Sequence, residues 1–212
     1  MRELLPRLAV PLTERGTLDP RSLFEAGTRK VWLEIGFGGG EHLADQAAAN
    51  PDTGIIGCEP FINGVAKLLA EVERRPLANV RIHDNDARDV LESLADASLD
   101  RVFLLFPDPW HKKRHHKRRF VSEETLDELA RIMVDGAEFR VATDIANYCR
   151  WTLREIRAHD AFEWLAEKPS DWRTRPADWP GTRYEAKAVR EGRRPVYLTF
   201  RRRPRGAAPA AR

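Results

Sequence analysis

The chain has 212 residues, of which 42% are hydrophobic and 33% charged, enough apolar mass for one sizeable domain and too much for a disordered chain. The net charge is only +3, yet residues 111–119 carry +6 and residues 190–212 carry +7, which leaves −10 on the other 180 residues. An acidic body with two concentrated basic segments is the footprint of a protein that meets a polyanion locally.

Cys58 and Cys149 stand 91 positions apart, a spacing that fits neither a CxxC zinc site nor a disulfide framework. No stretch approaches the ~18 apolar residues of a membrane span. The start, MRELLPRLAVPLTERG, is broken by Pro6, Pro11 and charges, and makes a poor signal peptide. A soluble cytoplasmic protein is expected.

Residues 1–30 hold several prolines and no clear periodicity, and read as an N-terminal extension. The domain is expected over 31–203, and a disordered tail over 204–212. Val31–Ile35 is a short apolar strand that runs into Gly36-Phe37-Gly38-Gly39-Gly40, and a helix is predicted over Glu41–Ala49, stopped by Asn50-Pro51. Gly54–Cys58 is the next strand. Val65, Leu68, Leu69 and Val72 recur at helical spacing within Ile62–Arg74. Val80–His83 and Arg101–Phe106 are strands separated by a short helix from Arg88 to Leu94. Ser122 starts a helix that runs through Met133. Glu138–Ala142, a helix over Ile145–Ala158 and a last strand at Val196–Phe200 follow, and 169–182 reads as a surface loop. Alternation of this kind predicts an α/β fold with a mostly parallel sheet covered on both faces. Ligands then bind beyond the carboxyl ends of the strands, where strand order reverses.

The first such end carries Leu33-Glu34-Ile35-Gly36-Phe37-Gly38-Gly39-Gly40. A P-loop is excluded because no Gly-Lys-Ser/Thr follows. A dinucleotide fingerprint would need its third glycine at position 41, where Glu41 stands and would repel a pyrophosphate. Glu34 places a second acid under the loop. A ligand without phosphate and with a cationic group fits, and S-adenosylmethionine has both properties. Glu59 follows the second strand, where such folds keep a ribose-hydroxyl acceptor. Asp86, in Asn85-Asp86-Ala87, follows the third and is placed for the adenine amino group.

After the fourth strand comes Phe106-Pro107-Asp108-Pro109-Trp110, two prolines stiffening the backbone around one carboxylate beside an aromatic face. Asp108 is placed to accept from a nucleobase on which an aromatic residue stacks. His111-Lys112-Lys113-Arg114-His115-His116-Lys117-Arg118-Arg119 follows. Its histidines lack a nearby cysteine or carboxylate to complete a zinc site, and its six cations suit phosphates. Arg193-Arg194 and Arg201-Arg202-Arg203 are expected to extend that surface.

PDPWHKKRHHKRR after one strand, LEIGFGGG running out of an earlier one, ATD at 142–144 and TRYE at 182–185 together resemble the bacterial tRNA (guanine-N7-)-methyltransferase family, over about residues 31–201. The resemblance implies a Rossmann-like class I methyltransferase with a seven-stranded sheet, S-adenosylmethionine as donor, and the variable-loop guanine of tRNA (position 46) methylated at N7. It implies Gly36, Gly38, Glu34, Glu59 and Asp86 as cofactor-binding. Asp108 is implied as catalytic and in contact with the cofactor. Lys112, Asp144, Thr182, Arg183, Tyr184 and Glu185 are implied for the substrate, with Glu185 accepting from guanine N1–H and the exocyclic amine. The family often has Lys-Phe where this chain has Arg183-Tyr184, which keeps charge and aromaticity but changes hydrogen-bonding geometry. A monomer or homodimer is expected, without metal or membrane. The competing readings are a class I methyltransferase of another RNA or a small molecule, a nicotinamide oxidoreductase, which Glu41 disfavours, and a non-catalytic RNA-binding protein.

Overall fold

A computed structural model describes residues 3–206 of the chain. Seven strands form one sheet. β1 (Lys30–Ile35) pairs in parallel with β2 (Thr53–Cys58) on one side and β4 (Leu99–Leu105) on the other. β2 continues to β3 (Val80–His83), and β4 to β5 (Met133–Thr143), again in parallel. β7 (Val196–Arg202) lies antiparallel between β5 and β6 (Phe162–Trp164). The order β3-β2-β1-β4-β5-β7-β6 reverses between β1 and β4, so the switch point falls there.

Alternation along the strands divides the core into two layers. Trp32, Ile55, Phe103 and Leu105 face α2 (Glu41–Ala49) and α3 (Ile62–Arg74), whose Leu43, Ala44, Ala47, Val65, Leu68, Leu69 and Val72 are buried against them. Leu33, Ile56, Val102, Leu104 and Phe139 face the other way, onto α4 (Ala87–Ser93), α5 (Glu123–Ile132) and α6 (Ala146–Ala158). Strands buried on both faces need nearly continuous apolar runs, as VWLEI, GIIGC and RVFLL supply. Ser122 caps α5, its hydroxyl accepting from the Thr125 amide in a reciprocal capping box.

The structure differs from the sequence reading in several places, besides the unpredicted β6 and the helix that starts at Arg183. The segment before β1 lies against the sheet. α1 (Leu4–Leu8) leads to Val10, whose amide donates to the Ile82 carbonyl at 3.0 Å, and Leu18 bonds to Ser93 and Ala95. This covers the open edge of β3. β5 begins at Met133, five residues earlier than read from Glu138, because α5 passes directly into the strand. The stretch 169–182 holds a short helix, α7 (Ser170–Arg173), and buries Trp179 edge-on between Phe103 and Tyr197. In the tail, Arg205 donates to the carbonyls of Arg131 and Met133 and pairs with Asp135; residues 207–212 of the predicted tail lie outside the described residues.

Candidate active site

The glycine loop is held by an acid and by the lack of a side chain. Gly38 is left-handed, at φ +59°, a conformation other residues rarely adopt. Its amide donates to Glu59 Oε2 at 2.7 Å, and the amide of Phe61 donates to Glu59 Oε1 at 2.9 Å. Both oxygens of this buried carboxylate are thus engaged by backbone. At Gly64, in the first turns of α3, a Cβ would come 2.1 Å from the Gly38 carbonyl oxygen. The loop therefore sits directly on the helix backbone.

Beyond β4 the chain is strained and pinned. Phe106 and Trp110 both have positive φ, +52° and +43°, unusual for bulky residues and costing on the order of 1–3 kcal/mol each. The Phe106 amide donates to the Ala142 carbonyl at 2.8 Å. Arg119 anchors the other end: its Nε donates to the Pro109 carbonyl at 3.0 Å and its Nη2 to Asn147 Oδ1 at 2.5 Å, with Trp151 4.8 Å beneath. Arg119 is 1% exposed. One of the six cations read as phosphate contacts is instead a staple between this loop and α6. Asp108 is exposed, and among the described residues its carboxylate has no hydrogen-bond or ion-pair partner. Arg118 stacks 4.8 Å over Trp110.

A cleft of about 400 Å³ lies between these segments, at the carboxyl ends of β1, β2 and β4. Gly36, Gly38, Glu59 and Asp108 line it, as do Arg183 and Tyr184 from α8 (Arg183–Arg190). These six predicted residues are brought together. The Tyr184 ring stands against Gly38, where a Cβ would meet its Cε2 at 2.8 Å.

The other predicted residues lie around the cleft rather than in its lining. Glu34 shares the face of Trp32 on β1, so α2 covers it. Its Oε2 pairs with His42 Nδ1 at 2.7 Å, and Gln46 links the pair to the Asp178 carbonyl. Asp86 caps α4 through the Arg88 amide and also holds the Arg88 guanidinium. Thr182 caps α8, accepting from the Glu185 amide at 3.1 Å. Glu185 accepts from the Tyr197 hydroxyl at 2.6 Å and faces Arg175 at 3.5 Å; burial and this carboxylate push the Tyr197 hydroxyl well above its ordinary pKa. Asp144 pairs with Arg193. Lys112 lies on the outer side of the loop, where a depression of about 410 Å³ shares Asp108 and Trp110 with the cleft.

Sequence reasoning missed Phe61 and Lys67, which line the cleft from α3 and its approach. Phe61 is 71% exposed. An aromatic residue two positions after Glu59 was the available signal. Among the described residues, no group of three or more His, Cys, Asp or Glu is arranged to hold a metal ion, and no helix is long and apolar enough to cross a membrane.

The family described as "Putative methyltransferase" matches residues 28–198. A protein of Rhodospirillum rubrum called tRNA (guanine-N(7)-)-methyltransferase is 53% identical over 97% of this chain and 82% of its own length. Proteins of the same description from Brucella anthropi and Roseobacter denitrificans are 56% and 59% identical, over 95% and 88% of the chain and 86% and 79% of their own lengths. The chain belongs to the tRNA (guanine-N7-)-methyltransferase family. Its fold is that of the class I methyltransferases. The 16S rRNA methyltransferase KamB superposes with a TM-score of 0.58 at 16% identity, covering 90% of this chain and 100% of that one. An rRNA methylase from Streptococcus thermophilus gives 0.56 at 8% identity, over 83% and 88%.

The methyl donor of this family, S-adenosylmethionine, suits the residues present. A Cβ on Gly36 would meet nothing within 4 Å, so the loop backbone faces open space, and the buried Glu59 carboxylate stands beside it. Neither feature would favour a phosphate.

Proposed function

We propose that the protein transfers the methyl group of S-adenosylmethionine to N7 of guanine in tRNA, at the variable-loop position 46. The observation that carries this reading is the unpartnered carboxylate of Asp108, held on a strained and stapled loop opposite the glycine loop in the cleft of a family member.

Gly36, Gly38 and Glu59 would hold the donor. When bound, it supplies an electrophilic methyl group whose bond to sulfur breaks with both electrons retained by sulfur. Guanine N7 offers an in-plane lone pair and carries no proton, so the reaction needs no general base. The new N–C bond leaves positive charge on the purine ring. Asp108, free of competing donors and adjacent to that ring, stabilises the charge and orients N7. Tyr184 and Trp110 give the base aromatic faces. Thr182 and Glu185, through their bonds to α8 and Tyr197, fix the helix that presents Arg183 and Tyr184. Lys112 and the exposed cations of residues 113–118 meet phosphates outside the cleft. A tRNA substrate implies a cytoplasmic reaction.

Incubation with methyl-labelled S-adenosylmethionine and tRNA lacking the modification, followed by digestion to nucleosides, tests the reading. Label in 7-methylguanosine from the variable loop is expected. Label in another nucleoside, or none in RNA, would overturn it.

A further inference from the structure

The basic residues 111–119 lie on one side of the cleft. On the other side, α8 leads away from Thr182, Arg183 and Glu185 into ground where the mechanism gives Arg173, Arg190 and Arg194 no role. Arg183 lines the cleft and also a neighbouring depression of about 670 Å³. That depression shares Arg175 and Val189 with a third one of about 730 Å³. These two depressions form one track along α8 and the turn into β7, which opens from the cleft at Arg183.

The track is lined by Arg173, Arg175, Arg183, Arg190, Arg193 and Arg194. Its single lining carboxylate, Glu185, is already engaged by the Tyr197 hydroxyl and Arg175. Arg193 is balanced by Asp144 and Glu191. Arg173, Arg190 and Arg194 are exposed and, among the described residues, have no carboxylate partner. Val189, shared by two of the depressions, is 60% exposed and gives the track an apolar patch between guanidiniums. Unpaired guanidiniums concentrated on one surface favour a polyanion, and their fork of donors matches phosphate oxygens. A protein partner would call for a larger apolar area than this patch.

We propose that this track is a second RNA-backbone site, so that the strand carrying the target guanine is gripped on both sides of the cleft, by residues 112–118 on one side and by Arg173, Arg190 and Arg194 on the other. The inference rests on the tRNA methyltransferase reading and adds where the substrate leaves the cleft. The strand passes from Tyr184 along α8, its phosphates meeting in turn Arg190 and then Arg173 and Arg194. The exposed side chain of Val189 packs against sugar or base between them.

The test is a triple variant, Arg173→Gln, Arg190→Gln and Arg194→Gln, beside the same three positions changed to Lys. The full chain is used with tRNA lacking the modification, over a range of salt concentrations, with melting curves for both variants. The Gln variant is expected to raise KM for tRNA roughly tenfold and to lower the salt slope of tRNA binding by about two to three, near one for each phosphate no longer neutralised. Its kcat at saturating tRNA and its affinity for S-adenosylmethionine should match the wild type, and the Lys variant should keep most of the salt slope. A Gln variant with unchanged KM and salt slope would overturn the proposal, as would a Lys variant as impaired as the Gln one. If the wild-type protein methylates no tRNA yet the Gln variant alone loses salt-dependent RNA binding, the methyltransferase reading fails and the RNA track stands. Loss of binding to an acidic polypeptide equal to the loss for RNA would contradict the assignment to RNA.

Discussion

Glu59, at the end of β2, is 4% exposed and both its carboxylate oxygens accept backbone amide protons, whereas Asp108, beyond the end of β4, is exposed and accepts none among the described residues. Both line the same cleft. Glu59 is part of the frame: without it two backbone donors, one of them buried, lose their partner and the glycine loop loses its tie to α3. Asp108 contributes nothing visible to the frame, while the frame goes to some length to hold it, with two left-handed bulky residues and a buried arginine around it. A carboxylate left unpaired on a costly loop is placed for something that arrives later. Stability and donor binding should therefore follow Glu59, and turnover should follow Asp108.

The largest effect expected is on turnover in Asp108→Asn. The isosteric amide keeps the size of the side chain and removes its charge, so kcat for tRNA methylation should fall about 100-fold or more with little change in melting temperature. A variant that melts far lower would show that Asp108 belongs to the frame after all. Gly64→Ala sharpens the other side. Its Cβ would press on the Gly38 carbonyl oxygen, and overpacking against backbone should cost about 1–3 kcal/mol in denaturant unfolding, with S-adenosylmethionine affinity reduced as the loop is displaced.

Arg119→Lys tests the link between frame and catalysis. An ammonium cannot bond both the Pro109 carbonyl and Asn147 Oδ1 in the geometry of the guanidinium. A loss of about 2 kcal/mol and a fall in kcat of roughly tenfold are expected, with KM for S-adenosylmethionine unchanged. A fall in stability alone would confine Arg119 to the fold. The smallest effect belongs to Tyr197→Phe, which leaves Glu185 with Arg175 as its remaining partner. About 1 kcal/mol should be lost, measured by denaturant unfolding, and kcat should change little.

The same contrast governs what can be read from sequence. The glycine loop and the PDPW segment are contiguous strings whose chemistry is local, and six of the seven strands carry apolar runs or alternation that locate them directly. β6 has only three residues, Phe162–Trp164, too short to show a period. The helix from Arg183 escapes the sequence reading, although Thr182 followed three residues later by Glu185 has the spacing of a capping box. Arg119 resembles its five basic neighbours in sequence because its partners, Pro109 and Asn147, lie 10 and 28 residues away. Glu34 adjoins the glycines in the chain, but the two-residue period of β1 puts it on the face of Trp32, where α2 covers it. Asp86 and Thr182, expected to touch ligands, also cap helices. The ends of elements suit both roles, and the sequence shows only their position there.

Titration of Glu59→Gln and Asp108→Asn with S-adenosylmethionine by calorimetry, beside the wild type, addresses the division of labour directly. The amide introduced by Glu59→Gln would turn a donor toward the Gly38 or Phe61 amide, so affinity should fall about tenfold or more in that variant and stay within about threefold of wild type in Asp108→Asn. Equal losses in the two variants would contradict the account, since Asp108 would then be holding the donor rather than serving the guanine.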